Sequence, residues 1–299
     1  MSLVEQTWDQ ILYGLDSVLD LCCSLGLKED VATSRFLKHR DRLGNLINAL
    51  RQRGQEGARE LYDTDRLAHI VAIAESGELI NLGPFVQNHK TDRALSKKLQ
   101  TALSGPEFPD EEDKNSNHAR NILFELTFAA KLWTAGLEPT LGDPPDLSCE
   151  IDGKALLIEC KRPLTENGAR SGIKDARSSI LRLAKFPLEA GTRGVVALSI
   201  TKLINPGDMV FSWPNEAEAR SGLNDVVREK AERLKNTWGR FGTKVVGIVF
   251  HVVTPAFLED SKLLILQQRT NGYPLTSSET SADGQAFRSM IDSLAKVWY

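Results

Sequence analysis

Apolar residues at helical spacing dominate the first third of the chain. They recur every three or four positions in residues 3–27, 32–53 and 64–77, and this is the period of one face of an α-helix. None of these segments shows the strict alternation of apolar and polar residues that is typical of a half-buried strand. The pattern therefore predicts an all-helical N-terminal domain over residues 1–104.

The pattern changes after the polar segment GPEFPDEEDKNSN, residues 105–117. Its two prolines, its glycine and its acidic run are typical of a linker. From residue 118 onward, helical patterns alternate with short apolar runs, among them DLSCEI, ALLIECK, GVVALSI, VVGIVFHVV and LLILQQR. This alternation predicts a second domain over residues 118–299 with an α/β fold, in which helices cover a sheet.

A predicted hairpin in the second domain brings two carboxylates together. Asp152 and Gly153 stand between two apolar runs, and Asp-Gly suits the two positive-φ positions of a type I′ turn. This turn places Asp146 directly across from Glu159, on the same face as Lys161. Opposed like charges are destabilising unless they are neutralised, and carboxylate oxygens are ligands for hard divalent cations. The pattern predicts a Mg²⁺ site, and the opposite face of the hairpin is predicted to be core.

A further carboxylate lies on the helix predicted upstream of the hairpin. Glu125 falls inside the apolar stripe of NILFELTFAAKLW, residues 121–133. A carboxylate on a core-facing side needs a partner. The same metal ion would supply one, and the alternative is that Glu125 reaches water or a basic neighbour such as Arg120.

These residues together resemble a known family. A helical Glu125, then Pro145-Asp146, then Glu159-x-Lys161 on the strand after a short hairpin is similar to the PD-(D/E)xK, or restriction endonuclease-like, nuclease superfamily. The resemblance implies a restriction endonuclease-like core, with a mixed central sheet flanked by helices. It also implies Mg²⁺-dependent hydrolysis of phosphodiester bonds, with Mn²⁺ able to substitute and with DNA favoured over RNA as the substrate.

The resemblance covers residues 116–255, for which it implies the order helix, three-strand meander, helix, strand. It also implies roles for individual residues. Asp146 and Glu159 would bind the metal with help from the main-chain carbonyl of Cys160. Glu125 would be a further ligand or would hold a metal-bound water. Lys161 would position or deprotonate the attacking water and offset developing charge.

Basic residues near this motif are candidate phosphate contacts. Arg162 follows the motif directly, and Lys174 and Arg177 lie on the next predicted helix; the alternative is an ordinary solvated face. The basic stretch at residues 35–53 could likewise follow a nucleic-acid backbone or be an exposed helix face. Many superfamily members carry a glutamine near the position of Ser179, so the subfamily and the substrate stay open.

Composition sets the remaining expectations. The 299 residues carry a formal net charge of −3, so a polyanion would need a local basic patch. Neither a signal-peptide pattern nor an apolar run of about 20 residues is present, which predicts a cytoplasmic protein that does not contact a membrane. The four cysteines show no zinc-site spacing and are expected to be buried free thiols.

Several alternatives follow from the sequence. An RNase would use the same metal site, because the predicted residues contact the phosphate and do not distinguish the sugars. A protein of the same fold that had lost turnover would be a nucleic-acid-binding or interaction module. The helical N-terminal domain would contact substrate, form a homodimer, bind a partner protein or regulate the enzyme.

Overall fold

The computed structural model describes residues 8–112, 117–183, 192–206, 209–238, 244–261, 263–275 and 281–297. It contains two compact units, one with the described residues up to Ala130 and one with most of those from Lys131 onward. The division falls inside a helix, at a different place from the predicted linker at residues 105–117. That linker's role as a domain boundary stays a prediction.

The described part of the first unit is helical, as predicted. Its elements are α1 (Trp8–Ser24), α2 (Lys28–Ala32), α3 (Arg35–Thr64), α4 (Arg66–Asn88), α5 (Arg93–Leu103), a 3₁₀ turn (Pro109–Glu111) and the greater part of α6 (His118–Thr134). Side chains cap the starts of α3, α4 and α5: Ser34 accepts from the N–H of Leu37, Asp65 from that of Ala68, and Asp92 from that of Ala94.

The second unit is built around a mixed sheet of seven described strands. The strands are β1 (Thr140–Leu141), β2 (Leu147–Ile151), β3 (Lys154–Lys161), β4 (Arg193–Ser199), β5 (Phe211–Trp213), β6 (Val245–Leu258) and β7 (Leu263–Pro274). The helices are α7 (Glu166–Leu183), α8 (Thr201–Ile204), α9 (Glu216–Trp238) and α10 (Ala282–Ala295). The α/β prediction is confirmed.

Strand pairing in this sheet changes from antiparallel to parallel at β3. The first three strands form an antiparallel meander, and β3, β4 and β6 are parallel neighbours. The long β6 pairs in parallel with β5 and along most of its length in antiparallel with β7. Because a strand has only two edges, β4 and β5 share one edge of β6 and β7 covers the other.

Helices cover both faces of the sheet. Apolar residues of α7 and α9 form one buried cluster with β4 and β6. On the opposite face, α10 approaches so closely that a Cβ atom at Gly247 would lie 2.2 Å from the Phe287 ring, and one at Gly272 would lie 2.3 Å from Ile291. These two glycines therefore set how near α10 packs to the sheet.

The predicted hairpin is present with the predicted register. Asp152 and Gly153 have φ values of 51° and 70°, Ile151 pairs with Lys154, and Leu147 pairs with Ile158. The face predicted to be core is buried in full, with the following members: Leu147, Cys149, Ile151, Leu156, Ile158 and Cys160. The turn residues and the alternation of apolar positions thus specify the same pairing.

A buried ionic cluster joins three helices of the first unit. Glu75 of α4 accepts from Arg35 of α3 at 2.6 Å and from Arg120 of α6, and His39 lies 3.5 Å away. All four side chains are buried. Burial alone would raise the pKa of Glu75, but the two guanidinium groups and His39 hold that pKa well below its usual value.

The same cluster anchors the described part of the predicted linker. Arg35 donates to the carbonyls of Ala102, at 2.7 Å, and of Ser104. Arg120 donates to the carbonyl of Glu107 at 2.9 Å. The carboxylate of Glu107 forms ion pairs with Lys38 and Arg42 of α3. Residues 105–112 are therefore held against the helices of the first unit.

The described residues also bear on the cysteines and on membrane contact. All four cysteines are free thiols; Cys22, Cys149 and Cys160 are buried as expected, and Cys23 is half-buried. Burial raises the pKa of the Cys22 and Cys149 thiols to about 12. Within the described ranges, every helix is too short or too polar to span a lipid bilayer.

We predict that Glu75→Gln destabilises the protein by about 3–5 kcal/mol, because it leaves two buried guanidinium groups without their carboxylate. Denaturant unfolding at neutral pH measures the change. Asp63→Asn is the matched control, since its pair with Arg59 is exposed at 3.8 Å and an exposed pair contributes about 0–1 kcal/mol. Equal effects of the two substitutions would contradict the assigned role.

The low pKa of Glu75 also predicts a pH dependence. An ionised Glu75 stabilises the folded state above its unfolded pKa of about 4.3, and this stabilisation is lost as the pH falls below that value toward the folded pKa. The stability difference between the wild type and Glu75→Gln should therefore stay constant near neutral pH and narrow in acid. Denaturant unfolding at a series of pH values, followed by circular dichroism, tests this.

Candidate metal centre

Three of the predicted site residues come together at the end of β3. Lys161 Nζ lies 3.0 Å from Glu159 Oε2 and 3.5 Å from Asp146 Oδ2. Asp146 stands immediately before β2, whose outermost pair with β3 is Leu147 with Ile158, and the same register continued by one residue sets Asp146 opposite Glu159. The hairpin thus brings two carboxylates within hydrogen-bond or ion-pair distance of one ammonium.

The main chain of Cys160 contributes to the same point. Its N–H donates to Asp146 Oδ2 at 2.7 Å, which fixes the carboxylate against β3. In an extended strand, the N–H and C=O of one residue point to the same edge. The Cys160 carbonyl therefore faces the edge at which Asp146 lies, which is the placement that its predicted role as a ligand requires.

Helix α7 closes the site from one face of the sheet. Glu159 is buried, with 3% of its surface exposed, and its Oε1 accepts from the hydroxyl of Ser179 at 2.6 Å. One face of α7 also lies against Lys161, because a Cβ atom at Gly172 would meet the Lys161 Cβ at 3.5 Å. Ser179 thus donates a hydrogen bond to one carboxylate oxygen of Glu159, and the other oxygen faces Lys161.

The charges in this cluster compensate one another in part. Burial works to lower the pKa of Lys161, but the carboxylates of Asp146 and Glu159 outweigh it, so the pKa is raised above its usual value. Lys161 is therefore an ammonium at neutral pH; it donates hydrogen bonds and offsets negative charge. With two carboxylates and one ammonium, the cluster has one formal negative charge in excess.

The donor set at this site fits Mg²⁺. Proteins commonly bind Mg²⁺ through one or two carboxylates, and the ion keeps several waters and takes phosphate oxygens from substrate. Asp146 and Glu159 supply two carboxylates, and the Cys160 carbonyl adds a neutral oxygen at the same edge. Among the described residues, no group of three or more His, Cys, Asp or Glu side chains is placed to hold a metal ion.

Glu125 has a partner of its own in the first unit. Its carboxylate forms an ion pair with Lys98 of α5, and both side chains are largely buried. The buried carboxylate on α6 therefore has a basic partner, Lys98, where the sequence suggested the metal or a basic neighbour such as Arg120. The role of Glu125 as a metal ligand stays a prediction.

Two of the candidate phosphate contacts point away from the site. Gly172 and Ser179 lie on nearly the same line of α7, because seven residues make almost two turns. Lys174 and Arg177 are each about 140–160° around the helix from both of them, with Lys174 exposed and Arg177 half-buried. Arg162 follows β3 directly and is half-buried. Phosphate binding by these three residues stays a prediction.

Two contacts at these carboxylates were missed by the sequence reasoning. In the sequence, Ser179 only stands near the place of a glutamine that many superfamily members carry, and nothing marks Lys98 as a partner of Glu125. Ser179 lies 20 residues from Glu159 and Lys98 lies 27 from Glu125. No local pattern reports such pairs, because they depend on how separate elements pack.

No family model, curated protein or solved structure matches this chain.

We predict that Ser179→Ala destabilises the protein by about 1–3 kcal/mol, because it leaves a buried oxygen of Glu159 without its donor. The carboxylate should also lose orientation, so Mn²⁺ affinity, measured by isothermal titration calorimetry, should fall. Ser178→Ala is the matched control, since that exposed hydroxyl bonds only the Lys174 carbonyl of its own helix. Wild-type Mn²⁺ affinity in Ser179→Ala would show that Ser179 does not orient a metal ligand.

Proposed function

We propose that the protein is a Mg²⁺-dependent nuclease that hydrolyses phosphodiester bonds of DNA, with endonucleolytic cleavage favoured and a role in defence or repair. The observation that carries the proposal is the meeting of Asp146, Glu159 and Lys161 at the end of β3. Two carboxylates are suitable ligands for a hard cation that activates a water, and a lysine beside them is placed to offset negative charge on the phosphate.

The order of elements around the site supports a PD-(D/E)xK nuclease core. A helix, α6, precedes an antiparallel meander of β1, β2 and β3, and α7 then leads to β4, which is parallel to β3. This is the order that the resemblance to the superfamily implies. The motif residues also have the implied positions, since Asp146 precedes the second strand of the meander and Glu159 and Lys161 end the third.

In the proposed mechanism, the residues of this chain hold the reacting groups and balance charge. Asp146, Glu159 and the Cys160 carbonyl would hold Mg²⁺, which when bound lowers the pKa of a water and offsets charge on the phosphate. The N–H of Cys160 and the hydroxyl of Ser179 keep the two carboxylates in place. The Lys161 ammonium would orient the attacking water and stabilise negative charge that develops on the phosphate.

A substrate panel tests the proposal. Purified protein is incubated with supercoiled plasmid, linear duplex, single-stranded DNA and RNA, each with Mg²⁺, with Mn²⁺ and with EDTA. We expect metal-dependent cleavage of DNA, with linearised or nicked plasmid as the sign of endonucleolytic action. Cleavage of RNA alone would show an RNase with the same site, and binding without cleavage would show an inactive module.

Substitution of Lys161 tests whether the cluster performs the chemistry. Lys161→Ala should lower the cleavage rate about 100-fold or more, because losing one donor that stabilises developing negative charge typically costs about 10²–10³ in rate. Lys154→Ala is the matched control at the other end of the same strand, where the side chain pairs with Asp283 at 3.7 Å. Unchanged cleavage by Lys161→Ala, in protein freed of contaminating nuclease, would exclude the assignment.

Asp146→Asn separates metal binding from folding. An asparagine oxygen is still able to accept from the Cys160 N–H, so we expect little change in the free energy of unfolding. The loss of a carboxylate should weaken Mg²⁺ and Mn²⁺ binding and abolish cleavage. Calorimetric metal titration and denaturant unfolding of the same variant measure the two effects, and a large loss of stability with unchanged metal affinity would indicate a structural role.

A further inference from the structure

The basic stretch at residues 35–53 is neutralised within the first unit. Every lysine and arginine side chain in it forms an ion pair with a described carboxylate. The pairs are Arg35 with Glu75, Lys38 with Glu107, Arg40 with Asp16, Arg42 with Asp65 and Glu107, Arg51 with Asp9, and Arg53 with Glu60. Little uncompensated positive charge is therefore left on this part of α3 for a polyanion.

A second group of basic residues in the same unit is differently placed. Lys90, in the turn before α5, and Arg93 and Lys97, on α5 itself, are all exposed. In contrast to α3, none of the described carboxylates forms an ion pair with any of these three side chains. We call Lys90, Arg93 and Lys97 the α5 basic surface.

The amphipathic pattern of α5 holds this surface toward solvent. Leu95, Leu99 and Leu103 are buried, so the opposite side of the helix, where Arg93 and Lys97 lie, faces outward. These two residues are four positions apart, which is a rise of about 6 Å along the helix. Their charged ends therefore lie on neighbouring turns of one exposed face.

The acidic residue at the start of α5 hydrogen-bonds to the helix backbone and forms no ion pair with the α5 basic surface. Residues 89–101 contain four lysine or arginine residues and one acid, Asp92. Asp92 Oδ1 accepts from the N–H of Ala94 at 2.7 Å and from that of Leu95 at 3.4 Å, and it caps α5. The segment thus carries a local positive charge on a chain whose net charge is negative.

The chemistry of the surface favours phosphate over an apolar partner. Among the described residues, the exposed large hydrophobic side chains are Tyr13 and Met209, and neither lies on α5. Amphipathic helices that bind membranes bury apolar residues in the lipid, and protein interfaces depend on apolar or aromatic anchors. Clustered, exposed cations without such anchors are typical of sequence-independent contacts with a nucleic-acid backbone.

We propose that the α5 basic surface contacts the phosphates of the nucleic-acid substrate, an inference that rests on the proposed nuclease function. The helical unit would then contribute non-specific affinity through Lys90, Arg93 and Lys97. The basic stretch of α3, already paired, would contribute little. The surface would hold DNA of any sequence, because phosphate contacts carry no base information.

Salt-dependent binding tests this inference. The affinity of the full chain for a short fluorescent DNA duplex is measured by anisotropy in EDTA, which prevents cleavage, between about 50 and 200 mM KCl. The test variant is the triple substitution Lys90→Gln, Arg93→Gln, Lys97→Gln. Each lost phosphate contact reduces the salt slope by about 0.9, so the triple variant should bind more weakly at low salt with a slope shallower by about two to three.

A matched variant controls for net charge. Arg40→Gln, Arg51→Gln, Arg59→Gln removes the same charge from exposed ion pairs of α3. We expect the salt slope of this variant to stay close to that of the wild type. Circular dichroism verifies that both triple variants are folded, and the charge-conserving variant Lys90→Arg, Arg93→Lys, Lys97→Arg should bind like the wild type.

Several outcomes would overturn the inference. Equal losses in the two triple variants would mean that only net charge matters, and wild-type binding by the α5 variant would exclude the surface. Binding of the wild type to anionic phospholipid vesicles but not to duplex or single-stranded DNA or to RNA would identify a membrane as the partner. The proposed nuclease function has its own failing outcome. It is wrong if the wild type binds nucleic acid through this surface but cleaves no nucleic acid with Mg²⁺, and that result would leave the binding inference standing.

Discussion

The pairing register of the β2–β3 hairpin is the constraint on which the candidate site depends. A shift by one residue would move Glu159 and Lys161 to the other face of the sheet and would expose the apolar side chains of β3. The positive-φ pair at Asp152 and Gly153 and the buried opposite face both oppose such a shift. The stability of the hairpin core and the position of the charged groups are consequences of the same pairing.

Two carboxylates held this close need compensation, and the protein supplies it from several directions. The ammonium of Lys161 lies near both, a main-chain N–H holds Asp146, and a hydroxyl from α7 holds Glu159. The two carboxylates are therefore partly compensated by groups of the protein itself, without a metal ion. The cluster remains one formal charge negative, and in the proposed nuclease a divalent cation would offset that charge, with the donors already in place limiting the reorganisation on binding.

The first unit shows how differently similar basic sequences are used. Glu75 gathers Arg35 and Arg120 in the interior, where the ion pairs join helices and hold the segment after α5. Farther along α3, basic residues meet carboxylates at the surface. The three side chains of the α5 basic surface have no such counter-ions among the described residues. The number of lysines and arginines in a stretch is therefore a poor guide to its potential, because the potential depends on where the carboxylates lie.

The sequence by itself determined the elements and the local geometry of this protein. Helical spacing in the first third, the α/β alternation after it and the turn at Asp152 and Gly153 were all readable, because each depends on residues close together in the chain. The same local information placed Asp146 across from Glu159. Tertiary structure alone decided that Ser179 bonds Glu159 and that Lys98 pairs with Glu125. It also decided that the arginines of α3 are paired with carboxylates, while the α5 basic surface has no such partners among the residues that the structure describes. Each of these contacts joins residues from separate elements, and a side chain's partner across such a distance is set by how the elements pack.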